Sequence, residues 1–289
     1  MIKLIAIDMD GTILCPQLTI REKTKQAILA AQSAGIKVVI ATGRSYVEAF
    51  DPVREAGLDL DYICLNGAEV RDRSGKLLDA THLSKDDVPK ITSILESAMI
   101  DYQLFIGKDM YTKNIEGIVD IFVQLAEAAH QVPAIDKIRA EINDRVKQGA
   151  IHEVESFDPI IQKHPSEIYK VFGSSTSALR LDQARELLKA SPHIAVSSSG
   201  AGNLEITSIN AQKGIAVEKF ARNKGIAMED VMVIGDSYND LSMMQRAGHA
   251  VAMGNAGAEI KAACHTVTAT NEHDGVGLAI EAILQPQVQ

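Results

Sequence analysis

The chain has 289 residues, of which 46% are hydrophobic and 23% are charged, a composition typical of globular proteins with a sizeable core. This length exceeds one average domain, so we expect one large domain or two moderate ones. The formal net charge of -9 argues against nucleic acid or an anionic membrane as the main partner, because such partners require a basic surface.

The three cysteines Cys15, Cys64 and Cys264 lie far apart and lack the spacing of metal ligands. They are typical of free thiols in a reducing compartment. No apolar run reaches the length of a membrane span, and Asp8 interrupts the short apolar run near the N-terminus, unlike a signal peptide. We therefore expect a cytoplasmic protein without a membrane partner.

The first eighty residues alternate between predicted strands and helices. The apolar run Leu4–Ile7 predicts a buried strand. Thr19 and Glu22 have the spacing of a capping box, which predicts the start of a helix that Gly35 ends. The elements that follow are a strand over 36–43, a helix over 46–56 and a strand over 62–70. This alternation predicts a parallel sheet with helices on both faces.

The middle of the chain has a different pattern. Residues 102–112 predict a hairpin around Gly107, and residues 167–174 predict a half-buried strand of an antiparallel sheet. Amphipathic helices are expected over 115–129 and 178–190. We expect an inserted α+β domain over 83–193.

The last hundred residues return to continuous apolar strands and helices. The predicted elements are a strand over 203–207, a helix over 214–225, a strand over 231–236, a helix over 240–248, a strand over 250–255 and a helix over 275–284. We therefore expect residues 1–82 and 194–289 to form one discontinuous core.

Two carboxylates follow the first strand directly. Side chains alternate along an extended chain, so Asp8 and Asp10 would point the same way. At about 4 Å and an effective dielectric constant of about 20, their repulsion costs roughly 4 kcal/mol. A cation or a shared proton would relieve it. The alternative is a solvated strand end with an Asp-Gly turn.

Ligands of open parallel sheets bind outside the carboxyl ends of the strands. The side chains expected there come from the segments DMDGT (8–12), ATGR (41–44) and GDSYND (235–240), and from Lys213 at a helix start. Oxygen ligands alone select a hard cation, Mg²⁺ or Ca²⁺. An EF-hand is excluded, because Ile13 and Thr19 occupy the positions of its glycine and glutamate.

Mg²⁺ often works together with a substrate phosphate, which would also explain Lys213 and the hydroxyl of Thr42. The chain has no Walker A pattern and therefore no P-loop. A carboxylate can itself attack phosphorus and form an aspartyl-phosphate.

DMDGT, ATGR, Lys213 and GDSYND, in this order, resemble the four signature motifs of the haloacid dehalogenase superfamily of phosphohydrolases. The resemblance covers essentially the whole chain. The large insert between the second and third motifs, LNGAEV before it and the closing NEHDGVGLAIE resemble the Cof-type sugar phosphatase branch. It implies an α/β fold, with a three-layer Rossmann-like parallel-sheet core and an inserted α+β cap domain that selects the substrate.

The resemblance implies a role for each matched position. Asp8 would be the nucleophile, and Asp10 the general acid for the leaving alcohol and then the base that activates water. Mg²⁺ would be held by Asp8, the backbone carbonyl of Asp10, and Asp236. The phosphate-binding residues would be Thr42, Gly43, Lys213 and Asn239. The supporting residues would be Gly11, Thr12 and Asp240.

Arg44 and Asn66 are candidates for substrate contact, since both are expected at strand ends beside the insert. A salt bridge for Arg44 and a turn for Asn66 are equally good interpretations.

These roles predict a phosphatase that hydrolyses small phosphorylated metabolites, namely sugar or polyol phosphate monoesters, with Mg²⁺ and through an aspartyl-phosphate. A phosphomutase of the same superfamily is one alternative. A phosphate-binding regulator without turnover is another, and intact Asp8 and Asp10 argue against it, because a binder needs no acid two residues from a nucleophile. The sequence predicts neither the individual metabolite nor an oligomeric state.

Overall fold

The computed structural model of the chain describes residues 1–128, 135–200 and 202–285. It divides into two compact units, Met1–Ala80 with Ala211–Gln289, and Thr81–Asn210. Within the described ranges, none of the helices has both the length and the apolar character needed to cross a bilayer.

The strands, in chain order, are β1 Leu4–Ile7, β2 Lys37–Ala41, β3 Asp61–Cys64, β4 Glu69–Arg71, β5 Leu77–Ala80, β6 Asp101–Ile106, β7 Asp109–Thr112, β8 Ile151–Glu153, β9 Ile168–Ser174, β10 Ile194–Ser197, β11 Asn203–Ser208, β12 Val231–Gly235, β13 His249–Ala252 and β14 Thr266–Val267.

The helices are α1 Glu22–Ser33, α2 Tyr46–Glu55, α3 Val88–Ser97, α4 Ile115–Ala128, α5 Ile135–Lys147, α6 Asp158–Lys163, α7 Ala178–Lys189, α8 Lys213–Asn223, α9 Leu241–Met244, α10 Ala258–Ala262 and α11 Gly275–Leu284. The predicted helix over 115–129 agrees with α4 as far as Ala128, and its last residue lies outside the described residues.

The first unit contains an eight-stranded sheet in the order β14-β13-β12-β1-β2-β3-β4-β5. The strands from β14 to β3 run parallel, and β4 and β5 are antiparallel additions at one edge. β1 lies between β2 and β12, so the carboxyl ends of these three strands are neighbours. This arrangement places three of the predicted motifs side by side.

Helices cover the sheet of the first unit because its strands are apolar on both faces. Leu4 and Ala6 belong to a core cluster that also contains apolar residues of α8 and α9, such as Phe220 and Met243. Side chains alternate, so the fully buried Ile5 faces the opposite side. The three-layer Rossmann-like core expected from the sequence is confirmed.

Two local predictions for the first unit are wrong. The capping box fails, because Ile20 pairs with Leu14 in an antiparallel bridge and keeps the chain extended, so α1 begins at Glu22 after Arg21. The single strand expected over 62–70 is two strands. The chain reverses at Leu65–Gly67, and β4 runs antiparallel to β3.

The second unit contains a six-stranded sheet in the order β10-β11-β9-β6-β7-β8. Its central pairs are antiparallel, including the predicted hairpin β6–β7. Val171, Leu204 and Ile206 share a core cluster with apolar residues of α3 and α7, such as Leu95 and Leu181, so these helices cover one face.

The expected return to the core at residue 194 is placed too early. β11, which the sequence pattern assigned to the core, pairs antiparallel with both β9 and β10 in the six-stranded sheet. The division between the units therefore falls after Asn210, and the first unit resumes at Ala211, just before α8.

Candidate active site

A buried ion-pair chain joins three of the predicted site residues. Lys213, the first residue of α8, donates from Nζ to Asp8 Oδ1 at 2.6 Å and to Asp240 Oδ1 at 2.7 Å. The side chains of Lys213 and Asp240 are fully buried, and that of Asp8 is 6% exposed. One lysine thus neutralises charge on two carboxylates that β1 and the loop after β12 bring together.

Asp240 is held by the loop that follows β12. Its Oδ2 accepts hydrogen bonds from the backbone N–H groups of Asp236 at 2.9 Å and Ser237 at 3.0 Å. With Lys213 on Oδ1, both oxygens of Asp240 are occupied by donors. Asp240 therefore orients Lys213 and closes the loop, and its supporting role in the reaction stays a prediction.

The turn after Asp10 supplies a hydroxyl that holds the Asp236 carboxylate at the sheet edge where Asp8 lies. Thr12 donates from Oγ1 to Asp236 Oδ1 at 2.9 Å, and the Ser237 hydroxyl donates to Asp236 Oδ2 at 3.2 Å. Gly11 has a φ of +74°, and a Cβ on it would lie 2.5 Å from Asp236 Oδ2. A side chain at position 11 would therefore displace the carboxylate as well as strain the turn.

Asp10 points to a different partner from Asp8. Arg44 holds it with two hydrogen bonds, from Nε to Oδ2 at 2.8 Å and from Nη2 to Oδ1 at 2.6 Å. The Asp10 side chain is 51% exposed. Of the two interpretations given for Arg44, the structure contains the salt bridge, and its partner is the predicted acid–base residue.

Thr42 and Gly43 follow β2 and precede Arg44. Thr42 is buried, and its Oγ1 accepts a hydrogen bond from the Arg44 backbone N–H at 3.1 Å. The Thr42 hydroxyl keeps its own proton for a further acceptor. Because β2 neighbours β1, these residues lie at the same sheet edge as Asp8.

Asn66 and Asn239 form a buried amide pair. Asn239 donates from Nδ2 to Asn66 Oδ1 at 3.2 Å. The Oδ1 atom of Asn239 is buried and has no hydrogen-bond partner among the described residues. The loop after β3 and the loop after β12 are thus connected through side chains, which the sequence pattern did not predict.

The acidic groups differ in their titration. Burial, followed by the charge of Asp240, raises the pKa of Asp8 well above its ordinary value against the opposing charge of Lys213. The same two causes raise the pKa of Asp236 to about 6. Desolvation acts to raise the pKa of Asp10, but the charge and hydrogen bonds of Arg44 outweigh it and lower that pKa. Asp10 is therefore a carboxylate in this arrangement.

The carboxylates also offer a donor set for a metal ion. One oxygen from each of Asp8, Asp236 and Asp240 lies within 4.8 Å of the other two. Such all-oxygen sets suit hard cations. Burial and the charge of Asp240 raise the pKa values of Asp8 and Asp236, so both carboxylates carry disfavoured negative charge that a cation would offset. These residues therefore fit Mg²⁺, with Asp240 more engaged by protein donors than the other two.

Sequence reasoning missed two asparagines that fix the turn after Asp10. Asn255 donates from Nδ2 to the Gly11 carbonyl oxygen at 2.8 Å, and its Oδ1 accepts from the Asn271 backbone N–H at 3.1 Å. Asn271 in turn donates from Nδ2 to the Leu14 carbonyl oxygen at 2.9 Å. The only signal was their place in AVAMGN and NEHDG, segments noted for other reasons.

Comparisons with known proteins identify the family of the chain. Residues 5–280 match the sequence profile of the haloacid dehalogenase-like hydrolases. The chain is 30% identical to phosphatase YwpJ of Bacillus subtilis, over 98% of this chain and 100% of that one. It is 32% identical to the 5-amino-6-(5-phospho-D-ribitylamino)uracil phosphatase YwtE of the same organism, over 99% of both chains.

A solved haloacid dehalogenase-like hydrolase from Bacillus subtilis superposes on this chain with a TM-score of 0.88 and 30% identity, covering 97% of this chain and 99% of the other. The profile match spans most of the chain, and the relatives match it nearly end to end. The chain therefore belongs to the haloacid dehalogenase-like hydrolases, as a phosphatase of the Cof type.

Proposed function

We propose that the protein hydrolyses small phosphorylated metabolites, sugar or polyol phosphate monoesters, with Mg²⁺ and through an aspartyl-phosphate on Asp8. The observation that carries this proposal is the buried Asp8 carboxylate, which shares Lys213 with Asp240. The relative YwtE is named for a substrate whose phosphate sits on a ribityl chain, which supports a polyol phosphate.

Asp8 is the nucleophile of the proposed reaction. Lys213 occupies its Oδ1, and no other hydrogen bond reaches this carboxylate from the part of the chain that the structure describes. Oδ2 therefore attacks phosphorus, and the bond between phosphorus and the leaving oxygen breaks. Asp8, Asp236 and the backbone carbonyl of Asp10 would hold Mg²⁺, which would neutralise charge on the phosphoryl oxygens.

Asp10 moves the proton in both half-reactions. It donates to the leaving alcohol, and as a carboxylate it then takes a proton from the water that hydrolyses the aspartyl-phosphate. Arg44 favours the carboxylate form, which suits the second step. The acid form requires the ion pair with Arg44 to open.

The other polar groups grip the phosphoryl group. Lys213 supplies a fixed positive charge, and Thr42 and Asn239 supply hydrogen-bond donors. Phosphoryl transfer needs little beyond positioning and neutralisation of charge, so this small set is chemically sufficient.

We propose further that the second unit selects the leaving group. The groups of the first unit grip the phosphoryl group, which every phosphate monoester shares, so discrimination must come from elsewhere. In the six-stranded sheet, Lys170 Nζ lies 2.7 Å from Glu205 Oε2, and both side chains are nearly fully buried. The ammonium group lies 5.3 Å from the ring centres of Phe105 and of Phe172.

A contribution to folding stability is a weak explanation for this ion pair. Buried ion pairs are often replaceable by apolar side chains of similar volume without loss of stability. Lys170 and Glu205 alternate with Val171, Leu204 and Ile206, so they belong to the face opposite α3 and α7. We therefore infer that their presence in the sheet serves the recognition of polar leaving groups.

The double variant Lys170→Met with Glu205→Leu tests the role of the second unit. The protein should stay folded and keep its activity on p-nitrophenyl phosphate, which needs little recognition. Its kcat/KM should change unequally among sugar and polyol phosphates. Scaling of every substrate by one factor would refute selection by this pair.

The reaction itself is tested with Asp8→Asn, which keeps the shape of the side chain but cannot attack phosphorus. Against a panel of phosphometabolites with Mg²⁺, this variant should show no turnover, whereas the exposed control Asp51→Asn should match the wild type. Turnover by Asp8→Asn above a small fraction of the wild-type rate would exclude the covalent mechanism.

A further inference from the structure

The turn between β3 and β4 has a costly backbone. Leu65, Asn66 and Gly67 have φ values of +49°, +57° and +97° in succession. Leu65 pays roughly 1–2 kcal/mol in the left-handed region, which asparagine tolerates better, and such strain concentrates at functional sites. A Cβ on Gly67 would lie 2.6 Å from the Gln212 carbonyl oxygen, so the turn packs tightly against the residue before α8.

The strained turn delivers one side chain into the site. Asn66 is 3% exposed, and its Oδ1 accepts the hydrogen bond from Asn239 Nδ2. Its backbone N–H donates to the Thr42 carbonyl oxygen at 2.9 Å, and the Leu65 N–H donates to the Arg44 carbonyl oxygen at 2.9 Å. The turn is therefore tied to the residues that follow β2, and its amide reaches the loop that follows β12.

The chemistry of an amide makes this contact consequential. A carboxamide presents donors at one end and an acceptor at the other. Asn239 can grip an anionic phosphoryl oxygen through its N–H groups, whereas a reversed amide would present Oδ1 and repel that oxygen. A carbonyl oxygen at 3.2 Å from Nδ2 selects one of the two orientations. Asn239 Oδ1 has no hydrogen-bond partner among the described residues, so no second contact favours the reversed orientation of the amide.

We propose that Asn66 is a positioning residue that fixes the orientation of the Asn239 amide, so that its second N–H donates to a phosphoryl oxygen. This inference rests on the proposed function. Asn66 acts through Asn239 and does not contact the leaving group. The strain of the turn serves to place one acceptor oxygen opposite Nδ2.

The test is a double-mutant cycle on inhibition by orthovanadate, a phosphate analogue, with kcat and KM for p-nitrophenyl phosphate measured in parallel. Asn66→Gly keeps the left-handed backbone and removes the side-chain amide. If Asn66 served only to form the turn, this variant would be inhibited by vanadate as strongly as the wild type. Asn239→Ala removes the donor. Met99→Gly is the control, because Met99 is exposed and also has a positive φ of +52°, but lies in the second unit.

A hydrogen bond to a charged group is worth about tenfold or more in affinity. Asn66→Gly and Asn239→Ala should each weaken vanadate inhibition by about tenfold, and the double variant should be no weaker than Asn239→Ala within about twofold. The inference would be overturned if vanadate inhibited Asn66→Gly as strongly as it inhibits the wild type. Multiplication of the two effects in the double variant would also overturn it, since the residues would then act independently.

Circular dichroism and urea unfolding establish that each variant is folded. Should Asn66→Gly not fold, Asn66→Ser enters the same cycle with the same expected coupling, because its hydroxyl is too short to reach Asn239. Asp8→Asn is assayed beside the cycle. An active Asp8→Asn refutes the proposed function, whereas an inactive Asp8→Asn with multiplicative effects refutes the positioning role of Asn66 alone.

Discussion

Asp236→Asn separates the stability of the site from its activity. In the absence of a cation, Asp236 carries a charge that its surroundings disfavour, because burial and the neighbouring Asp240 raise its pKa to about 6. The amide of the variant keeps an oxygen for the Thr12 hydroxyl, which donates to Asp236 at 2.9 Å. The substitution therefore removes the charge with little change in shape.

The magnitude follows from the difference between the folded and unfolded pKa values. Asp236 rises from 3.8 to about 6, and each unit corresponds to about 1.4 kcal/mol, so the ionised group costs about 3 kcal/mol at neutral pH. A raised carboxyl pKa favours the folded state fully below about pH 4, and this advantage is lost as the pH rises through about 6. Asp236→Asn should then be more stable than the wild type by about 3 kcal/mol at pH 7.5.

Urea unfolding in EDTA at pH 4.5 and pH 7.5 checks this expectation. The gain should be large at pH 7.5 and small at pH 4.5, while the exposed control Asp51→Asn should change stability by less than about 0.5 kcal/mol at both. Saturating Mg²⁺ should stabilise the wild type and not the variant, which should also be inactive. Equal stability of Asp236→Asn and the wild type at pH 7.5 in EDTA would refute this reasoning.

Three further outcomes are expected. Asp10→Asn should slow both half-reactions. With p-nitrophenol, a good leaving group, the first half-reaction should slow less than the second, so that phosphoenzyme accumulates in rapid-quench measurements. Equal loss of rate with every leaving group would contradict the acid–base role. Mg²⁺ should be required and Ca²⁺ inhibitory, because Ca²⁺ prefers more ligands at longer distances, and full activity in excess EDTA would exclude the metal. Lys213→Met should cost about 3–5 kcal/mol in urea unfolding at pH 7.5 by leaving two buried carboxylates unpaired, and a loss below about 1 kcal/mol would contradict the ion-pair chain.

The sequence predicted the convergence of the motifs because that depends on a simple rule. Asp8, Thr42 and Asp236 each follow an apolar strand, and parallel strands end at one edge of a sheet. Composition and period identified those strands without any knowledge of their partners.

The failures have a common physical cause, which is pairing between residues far apart in the chain. The pattern of 203–207 suits a strand of either sheet, and only its pairing with β9 assigns it to the second unit. Asn66 and Gly67 favour a turn, but Leu65 has no preference for left-handed backbone, and hydrogen bonds from the Leu65 and Asn66 N–H groups to the carbonyls of Arg44 and Thr42 hold the reversal. Asn255 donates to the carbonyl of Gly11, which is 244 residues away in the chain, and no local sequence pattern predicts such a contact.

The repulsion first inferred from Asp8 and Asp10 is resolved separately for each carboxylate. Arg44 pairs with Asp10, and Lys213 is shared by Asp8 and Asp240. When Asp236 is included, the site has four carboxylates and two fixed cations, which leaves two negative charges among these groups. A divalent cation cancels that excess, whereas a phosphate monoester alone would add to it. We therefore expect phosphate binding to depend on a divalent cation. Asp236 has no basic hydrogen-bond partner among the described residues, and Asp236→Asn, which removes one of the two excess negative charges, should weaken that dependence.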